Sequence, residues 1–312
     1  MNSRRLRAKR TQRALVTGAT GFIGSHLVKH LLVNGWQVGA LGRKASLASV
    51  PAGVERFTHT GATAKVMEAV KTFKPDVVFH LASLFVADHK PEQVEEIVTS
   101  NVLLGTQLLE AMKAAGCTAM VNAGTAWQNL RTKAPFDGPE YRPVNLYAAT
   151  KQAFEDIAAY YVETGGLRLV TLRMYDTYGP HDRRRKLVKV LLEAAAAGTR
   201  LKMSTGEHLM DYVHVDDVCR ALVHAGGLAV TMTAPGAEVY AVSGGDRRTL
   251  REVVGAVEQA TGNKLRVEFG AQPYRTREVM HPWEGPALPG WKPQVTLVEG
   301  LRTLAPKRAK IQ

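Results

Sequence analysis

The sequence predicts an α/β protein with a doubly wound parallel sheet and a smaller C-terminal lobe. Short apolar segments alternate with segments of helical periodicity from about residue 14 to residue 173, the pattern of repeated strand–helix units. A glycine-rich stretch lies at the first strand–helix junction. From Pro235 onward prolines recur, and we expect an irregular cap there.

The glycine-rich stretch fits a turn that binds a dinucleotide. Residues 14–17 form a short apolar strand, and apolar residues recur at helical spacing over residues 22–32. Between them, Gly18 permits a tight turn, Gly21 lets a pyrophosphate approach the backbone, and Gly24 lets the helix pack on the strand. A glycine triplet alone is compatible with an ordinary tight turn. Strand, triplet and amphipathic helix in register favour a Rossmann-type site.

The end of the second predicted strand, residues 37–41, bears on the choice of dinucleotide. A site that prefers NAD usually has Asp or Glu there, because a carboxylate accepts hydrogen bonds from the ribose hydroxyls. Here the chain continues with Gly42, Arg43 and Lys44, and a guanidinium suits a ribose 2′-phosphate. The sequence therefore favours NADP(H), with NAD as the other possibility. A solvated basic turn is the alternative interpretation of the two cations.

A fifth strand-like segment, residues 118–122, leads to a hydroxyl group at the expected ligand edge of the sheet. Ala123, Gly124 and Thr125 follow it, so Thr125 reaches the carboxyl ends of the strands, where open α/β sheets bind ligands. A hydroxyl there can hydrogen-bond a substrate carbonyl or alcohol. The alternative is a threonine satisfied by nearby backbone.

Residues 145–161 predict a helix that presents Tyr147 and Lys151 one turn apart on a single face. A free tyrosine has a pKa of about 10, too high for easy proton exchange at neutral pH. A neighbouring ammonium stabilises the phenolate and lowers that pKa, so Tyr147 is a candidate general acid or base. Taken alone, the pair also fits a half-buried tyrosine beside a surface lysine. Its position after the fifth strand favours catalysis.

Several stretches in a fixed order carry a resemblance to a known family. They are Thr17–Gly24, Pro75–Ser83, Ser100–Thr106, the Tyr147/Lys151 pair, Tyr178–Pro180 and Val213–Val218. With these motifs the chain resembles the extended short-chain dehydrogenases/reductases of the nucleotide-sugar branch, the NAD-dependent epimerase/dehydratase superfamily, over nearly its whole length. In that family the Ser/Thr, Tyr and Lys are catalytic, which implies these roles for Thr125, Tyr147 and Lys151.

Motifs and resemblance together predict the residues of the site. The predicted cofactor-binding residues are Gly18, Thr20, Gly21, Phe22, Ile23, Gly24, Arg43, Lys44, Leu81, Ala82, Ser83, Asn101, Tyr147 and Lys151. The predicted substrate-binding residues are Phe85, Trp127, Asp176, Arg184, Lys186 and Arg275. For Phe85 a plain surface loop is an equal alternative, and for the cations a solvated face is the usual one.

Departures from the family pattern bear on the substrate pocket and on the reaction. Met210 stands where the family often has an arginine that grips a substrate phosphate, and Asp176 replaces an asparagine. The 4,6-dehydratases of the family follow their catalytic threonine with an Asp-Glu pair, whereas Ala126 and Trp127 follow Thr125. Neither can act as a general acid or base, so dehydration is not expected.

Three segments, residues 124–128, 145–155 and 175–180, are most similar to the CDP-abequose/CDP-paratose synthase type. We therefore expect NADPH-dependent reduction of the C4 keto group of a CDP- or dTDP-linked 4-keto-6-deoxyhexose in deoxysugar biosynthesis. The main alternative is an NAD-dependent nucleotide-sugar 4-epimerase. A more remote one is a non-catalytic NADP(H)-sensing protein, against which the retained catalytic set argues.

The predicted organisation has three parts. Residues 1–13 form a basic tail; residues 14–178 with about 209–232 form the dinucleotide-binding domain; about 179–208 with 233–312 form the substrate-binding lobe. Within this scheme residues 186–197 are a helix leaving the first domain, and 213–226 return to it. The resemblance implies a homodimer that pairs through the helices around Asn101 and Tyr147.

The composition and the charge of the chain limit the classes of molecule that it is expected to bind. The formal net charge is +13 at pH 7, but six cations lie in the first thirteen residues, where tails are usually solvated. No nucleic-acid recognition motif accompanies them, so the excess suits an anionic cofactor and a nucleotide-sugar. No apolar run approaches the length of a membrane span, so no membrane-spanning helix is expected. The ten histidines show no metal-ligand spacing, so no metal is expected. The two cysteines fit a cytoplasmic enzyme.

Overall fold

The computed structural model describes residues 11–133, 138 and 140–305. Its strands, in chain order, are β1 (Arg13–Thr17), β2 (Gln37–Gly42), β3 (Val54–Thr58), β4 (Val77–His80), β5 (Ala119–Thr125), β6 (Arg168–Met174), β7 (Asp176–Tyr178), β8 (Arg200–Met203), β9 (Leu209–His214), β10 (Gly236–Val242), β11 (Arg247–Thr249) and β12 (Arg266–Phe269). Its α-helices are α1 (Phe22–Val33), α2 (Lys44–Leu47), α3 (Thr63–Phe73), α4 (Val94–Val98), α5 (Leu104–Ala115), α6 (Leu146–Gly165), α7 (Leu187–Ala197), α8 (Val215–Thr231), α9 (Leu250–Thr261) and α10 (Leu297–Leu304).

Seven parallel strands form the central sheet, in the order β10-β6-β5-β4-β1-β2-β3. The chain runs outward from β1 to β3 and then crosses to β4 on the other side of β1. The winding therefore changes direction between β1 and β4, and ligands of open α/β sheets bind outside the carboxyl ends of the strands at such a point.

Helices cover both faces of the sheet, because nearly every central strand is apolar on both sides. One face carries α1 and α8, whose Leu27 and Leu222 are fully buried against the strands. The other carries α3, α5 and α6, with Val70 and Phe154 at 0% exposure. This arrangement confirms the predicted α/β fold with a doubly wound parallel sheet.

A second core forms under the C-terminal part of the chain. It joins α7, α9 and α10 through Leu191, Val253 and Leu301, all fully buried. Beside it, β8 pairs with β12, while β7, β9 and β11 form a three-stranded sheet. The predicted helix 186–197 is present as α7, with Lys186 at its N-cap position.

The predicted division of the chain differs from the structure at three strands. β10, placed in the substrate-binding lobe, pairs along its whole length with β6 and extends the central sheet. β7 and β9, both placed in the dinucleotide-binding domain, join the three-stranded sheet instead. The segment from Pro235 onward is also less irregular than expected, since it contains β10, β11, α9, β12 and α10. β10 covers an edge of β6 that would otherwise present unpaired backbone groups.

Most of the predicted basic tail, residues 1–10, lies outside the described residues, and Arg13 already belongs to β1. Across the described part of the chain, no helix combines the length and the apolar character needed to cross a membrane.

Candidate active site

The glycine turn between β1 and α1 is packed so closely that two of its positions require glycine. Gly18 has φ +69°, and a Cβ there would lie 2.7 Å from the Ala82 nitrogen. A Cβ on Gly24 would lie 2.0 Å from the Gly18 carbonyl oxygen. The turn is closed by a 3.0 Å hydrogen bond from the Gly21 N–H to that same oxygen. This bare backbone at the start of α1 fits a pyrophosphate, as the sequence predicts, together with Thr20, Phe22 and Ile23.

A π-helical segment, Thr99–Leu103, connects the loop after β4 to α6. The Asn101 side chain accepts hydrogen bonds from the Leu84 N–H at 2.7 Å and the Ser83 hydroxyl at 3.1 Å. It donates to the Thr150 hydroxyl at 3.0 Å. Such π-segments frequently occur at functional sites. Asn101 thus holds the predicted cofactor-binding loop, Leu81–Ser83, against the helix that carries Tyr147.

His80, at the end of β4, is a packed histidine. Its Nδ1 lies 2.9 Å from the Thr17 hydroxyl oxygen, which itself accepts a hydrogen bond from the Ala82 N–H at 3.1 Å. Burial, with the nearby charge of Lys151, lowers the pKa of His80 to about 3. The neutral ring therefore contributes to holding the glycine turn against the loop after β4.

Tyr147 lies in the first turn of α6, which begins where the sequence predicts. Asn145 caps the helix: its Oδ1 accepts a hydrogen bond from the Ala148 N–H at 3.0 Å, and its amide donates to the Ala87 carbonyl at 2.9 Å. The cap fixes the start of α6 against the loop after β4. Tyr147 consequently stands at the carboxyl edge of the sheet.

The predicted lowering of the Tyr147 pKa by Lys151 is not what the structure gives. Burial raises the pKa of Tyr147 to about 12, and this outweighs the lowering effects of a hydrogen bond with Ser83 and of the Arg184 charge. The cation that acts on Tyr147 is thus Arg184, from the other lobe. Tyr147 is protonated at neutral pH, the state a proton donor requires.

Lys151 is buried, with 1% of its surface exposed. Burial lowers the pKa of its ammonium to about 8, and the nearby charge of Glu155 raises it. Glu155 lies one turn further along α6, on the same face of the helix. The protonation of Lys151 near neutral pH therefore depends on Glu155.

A buried polar network, which sequence reasoning missed, ties Thr125 to α6. The Thr125 N–H donates to Gln128 Oε1 at 3.0 Å, and the Gln128 amide donates to Glu155 Oε1 at 2.9 Å. Arg173, from β6, binds Glu155 Oε2 at 2.8 Å, and each of these two side chains is only 9% exposed. A signal was present in the sequence, since Thr125 and Gln128 have the spacing of a capping box and form one.

Contacts through the Phe85 ring link four predicted substrate-binding residues to Tyr147. The Phe85 ring lies 5.0 Å from the Tyr147 ring and 5.6 Å from the Trp127 ring. The Lys186 ammonium lies 5.4 Å from the centre of the Phe85 ring and forms a 3.0 Å ion pair with Asp176. An aromatic surface and a paired charge therefore lie beside Tyr147.

Arg184 lies beside the start of α1. Its guanidinium stacks over the Phe22 ring at 4.6 Å, binds both carboxylate oxygens of Asp182 at 2.8 Å, and donates to the Thr177 carbonyl at 3.1 Å. Its charge also acts on Tyr147, so this cation is near both the predicted pyrophosphate turn and the Tyr147 hydroxyl.

The predicted Arg275 and the nearby Arg277 differ in position. Arg275 lies near His208, whose pKa is lowered by burial and also by the Arg275 charge. Arg277 donates from its guanidinium to the Val144 carbonyl at 2.9 Å, immediately before α6. The structure thus brings Arg277 to the helix that carries Tyr147.

At the far end of the cofactor site, Arg43 and Lys44 follow β2 as predicted, and both are exposed. Arg43 stands at the N-cap position of α2, where its carbonyl accepts a hydrogen bond from the Ser46 N–H at 3.0 Å. In the portion of the chain that the structure describes, no three His, Cys, Asp or Glu side chains are grouped to hold a metal ion.

A parallel sheet with a glycine turn at its switch point is typical of enzymes that bind a dinucleotide, and Tyr147 and Lys151 lie on one face of α6. The NAD dependent epimerase/dehydratase family matches residues 14–237, and the chain belongs to this family. It is an enzyme of an oxidoreductase-like family that acts on nucleotide-sugars, as the sequence predicts.

Three similar proteins illustrate the range within the family. A UDP-glucose 4-epimerase of Mycolicibacterium smegmatis is 32% identical over 93% of this chain and 96% of its own. A CDP-abequose synthase of Yersinia pseudotuberculosis is 25% identical over 86% of this chain and 91% of its own. The crystal structure of a Thermus thermophilus UDP-glucose 4-epimerase in complex with NAD is 30% identical, with a TM-score of 0.75 over 93% of this chain and 97% of that one.

Proposed function

We propose that the protein reduces the C4 keto group of a CDP- or dTDP-linked 4-keto-6-deoxyhexose at the expense of NADPH. The observation that carries the proposal is the site around Thr125. Phe85 packs on both Tyr147 and Trp127, which supports a place for the Tyr147 hydroxyl near this site. The residues after Thr125 are a buried alanine and that tryptophan. Such a site can protonate an alkoxide, and it lacks the acid–base pair that elimination of water requires.

NADPH held at the turn of Gly18, Gly21 and Gly24 would supply a hydride for C4, and the protein would supply the proton. The Thr125 hydroxyl oxygen accepts a hydrogen bond from the Trp127 N–H at 3.3 Å, so its own hydrogen can point to the substrate carbonyl. Tyr147 donates its phenolic proton to the alkoxide oxygen as it forms. Lys151 binds the ribose of the cofactor. One hydride and one proton convert the ketone to an alcohol.

The preference for NADP(H) rests on the end of β2. Two cations follow this strand, and no carboxylate is available there to bind ribose hydroxyls. The same feature separates the proposal from the second candidate, a 4-epimerase that keeps NAD bound. That candidate is favoured by the similarity to UDP-glucose 4-epimerases, of which one was solved with NAD.

A single assay separates the two functions. Purified protein is mixed with NADPH and, separately, with CDP- and dTDP-4-keto-6-deoxyglucose, and the absorbance of the reduced nicotinamide is followed. We expect stoichiometric oxidation with one of the two sugars, which also identifies the base. If neither is reduced and UDP-hexoses interconvert without added cofactor, the protein is an epimerase.

We also propose, from the family resemblance, that two copies of the chain pair through α4, the π-helical segment and α6. Val94, Val98 and Leu103 are exposed on this surface, as is Tyr160 of α6. The mass measured by light scattering after size exclusion should be twice 34.0 kDa. Replacing Val98 with Glu should reduce it to that of one chain, and an unchanged mass would argue for another contact.

A further inference from the structure

We infer that His59 is a third member of the site for the adenosine 2′-phosphate, beside Arg43 and Lys44, and that it contributes to the selection of NADP(H) over NAD(H). The inference rests on the cofactor preference proposed above. It concerns the carboxyl ends of β2 and β3, away from the reacting atoms.

The pairing of the two strands places His59 beside the basic turn. β2 and β3 run parallel with Gly42 opposite Thr58, and the His59 N–H donates to the Gly42 carbonyl at 3.0 Å. His59 is therefore held against the residue that directly precedes Arg43. His59 and Arg43 therefore lie at the same edge of the sheet, and Lys44 follows Arg43 directly in the chain.

One ring nitrogen of His59 lacks a hydrogen-bond partner in this position. The ring is half-buried, and its Nδ1 is buried with no hydrogen-bond partner among the residues that the structure describes. Burial and the charge of Arg43 both lower the pKa of His59, so the guanidinium disfavours the protonated form of the ring. A buried nitrogen without a partner beside a cation costs folding free energy, unless an anion binds both groups.

A phosphate dianion would satisfy both groups. Its oxygens accept hydrogen bonds from a guanidinium and from a protonated imidazole, and such charge-assisted bonds are the stronger kind. The surroundings carry little competing negative charge. Glu55 is the sole carboxylate from residue 42 to residue 67, and it lies toward the start of β3, where it accepts a 2.7 Å hydrogen bond from Gln37.

Binding of fragments tests the inference without turnover. Isothermal titration measures the affinities for two pairs of ligands, 2′,5′-ADP against 5′-AMP and NADPH against NADH. The proteins are the wild type, His59→Leu and Arg43→Ala. His224→Leu, on α8, is the matched control. We expect His59→Leu to weaken 2′,5′-ADP and NADPH by about tenfold, since hydrogen bonds to charged groups have about that effect. Binding of 5′-AMP and NADH should stay within about twofold, and the control should resemble the wild type.

The outcomes distinguish this inference from the cofactor proposal. If the wild type prefers NADPH and Arg43→Ala removes that preference while His59→Leu preserves it, His59 has no such role and the cofactor proposal stands. If the wild type binds both cofactors alike, both ideas fail.

A second measurement needs no variant: the His59 C2–H resonance of the wild type should report a pKa that rises with 2′,5′-ADP and is unchanged with 5′-AMP. An equal response to both ligands would also overturn the inference.

Discussion

Replacing Tyr147 with Phe is expected to lower kcat by about 10³-fold, while the affinity for NADPH changes by less than about threefold. The phenolic oxygen is the proton donor in the proposed reaction, and burial keeps it protonated by raising its pKa to about 12. Phe retains the ring that packs at 5.0 Å from Phe85, so the packing around Phe85 should be preserved. The measurements are single-turnover oxidation of NADPH and a fluorescence titration of the cofactor.

Tyr240 provides the matched control for this variant, because it lies on β10, outside the proposed site and the proposed dimer surface, and its hydroxyl donates to Glu238 at 2.8 Å. Tyr240→Phe should leave both measurements at the wild-type level. If Tyr147→Phe retains more than about a tenth of the wild-type kcat, Tyr147 is not the proton donor. A loss of NADPH affinity that accounts for the whole effect would identify Tyr147 as a binding residue only.

The second large effect is expected from Glu155→Gln, which removes one partner of the buried pair with Arg173. Breaking such a pair leaves an uncompensated charge and typically costs about 3–5 kcal/mol of the free energy of unfolding. Urea denaturation followed by circular dichroism measures this loss. Glu163→Gln, an exposed position on the same helix, should change the free energy of unfolding by less than about 0.5 kcal/mol.

Glu155→Gln should also change the pH dependence of the reaction. Glu155 raises the pKa of Lys151, which burial has lowered to about 8. Without that carboxylate the Lys151 pKa falls further, so Lys151 loses its proton at a lower pH. A step that needs the charged ammonium declines as the pH rises through this pKa, and the alkaline limb of kcat/KM should move to lower pH. An unmoved limb in a folded variant would show that Lys151 does not control it.

Much of the fold follows from local patterns in the chain. The strand at 14–17, the glycine turn and the helix from Phe22 are found where the periodicity indicates, and Asn145 caps a helix predicted to begin at that residue. The family is confirmed by the match over residues 14–237. These features were predictable because each depends on residues near one another in the sequence.

Other features depend on contacts between segments that are distant in the sequence, and local sequence patterns do not predict such contacts. β10 begins with a glycine directly after a proline, and its place at the edge of the central sheet depends on the open side of β6. The pKa of Tyr147 was expected to follow Lys151, its neighbour on the helix. It instead reflects burial, Ser83 from the loop after β4, and Arg184 from beyond β7.

The parallel α/β architecture and the family can be inferred from the chain alone, as can the candidates for proton transfer, because periodicity and motif spacing are local properties of the chain. The pKa values of those candidates depend on contacts that form only in the folded protein. Gln128, Glu155 and Arg173 connect Thr125 to Lys151 from three separate elements, and His59 meets Arg43 only because β3 pairs with β2. Electrostatic effects and burial act through space, so they depend on contacts between residues that are distant along the chain.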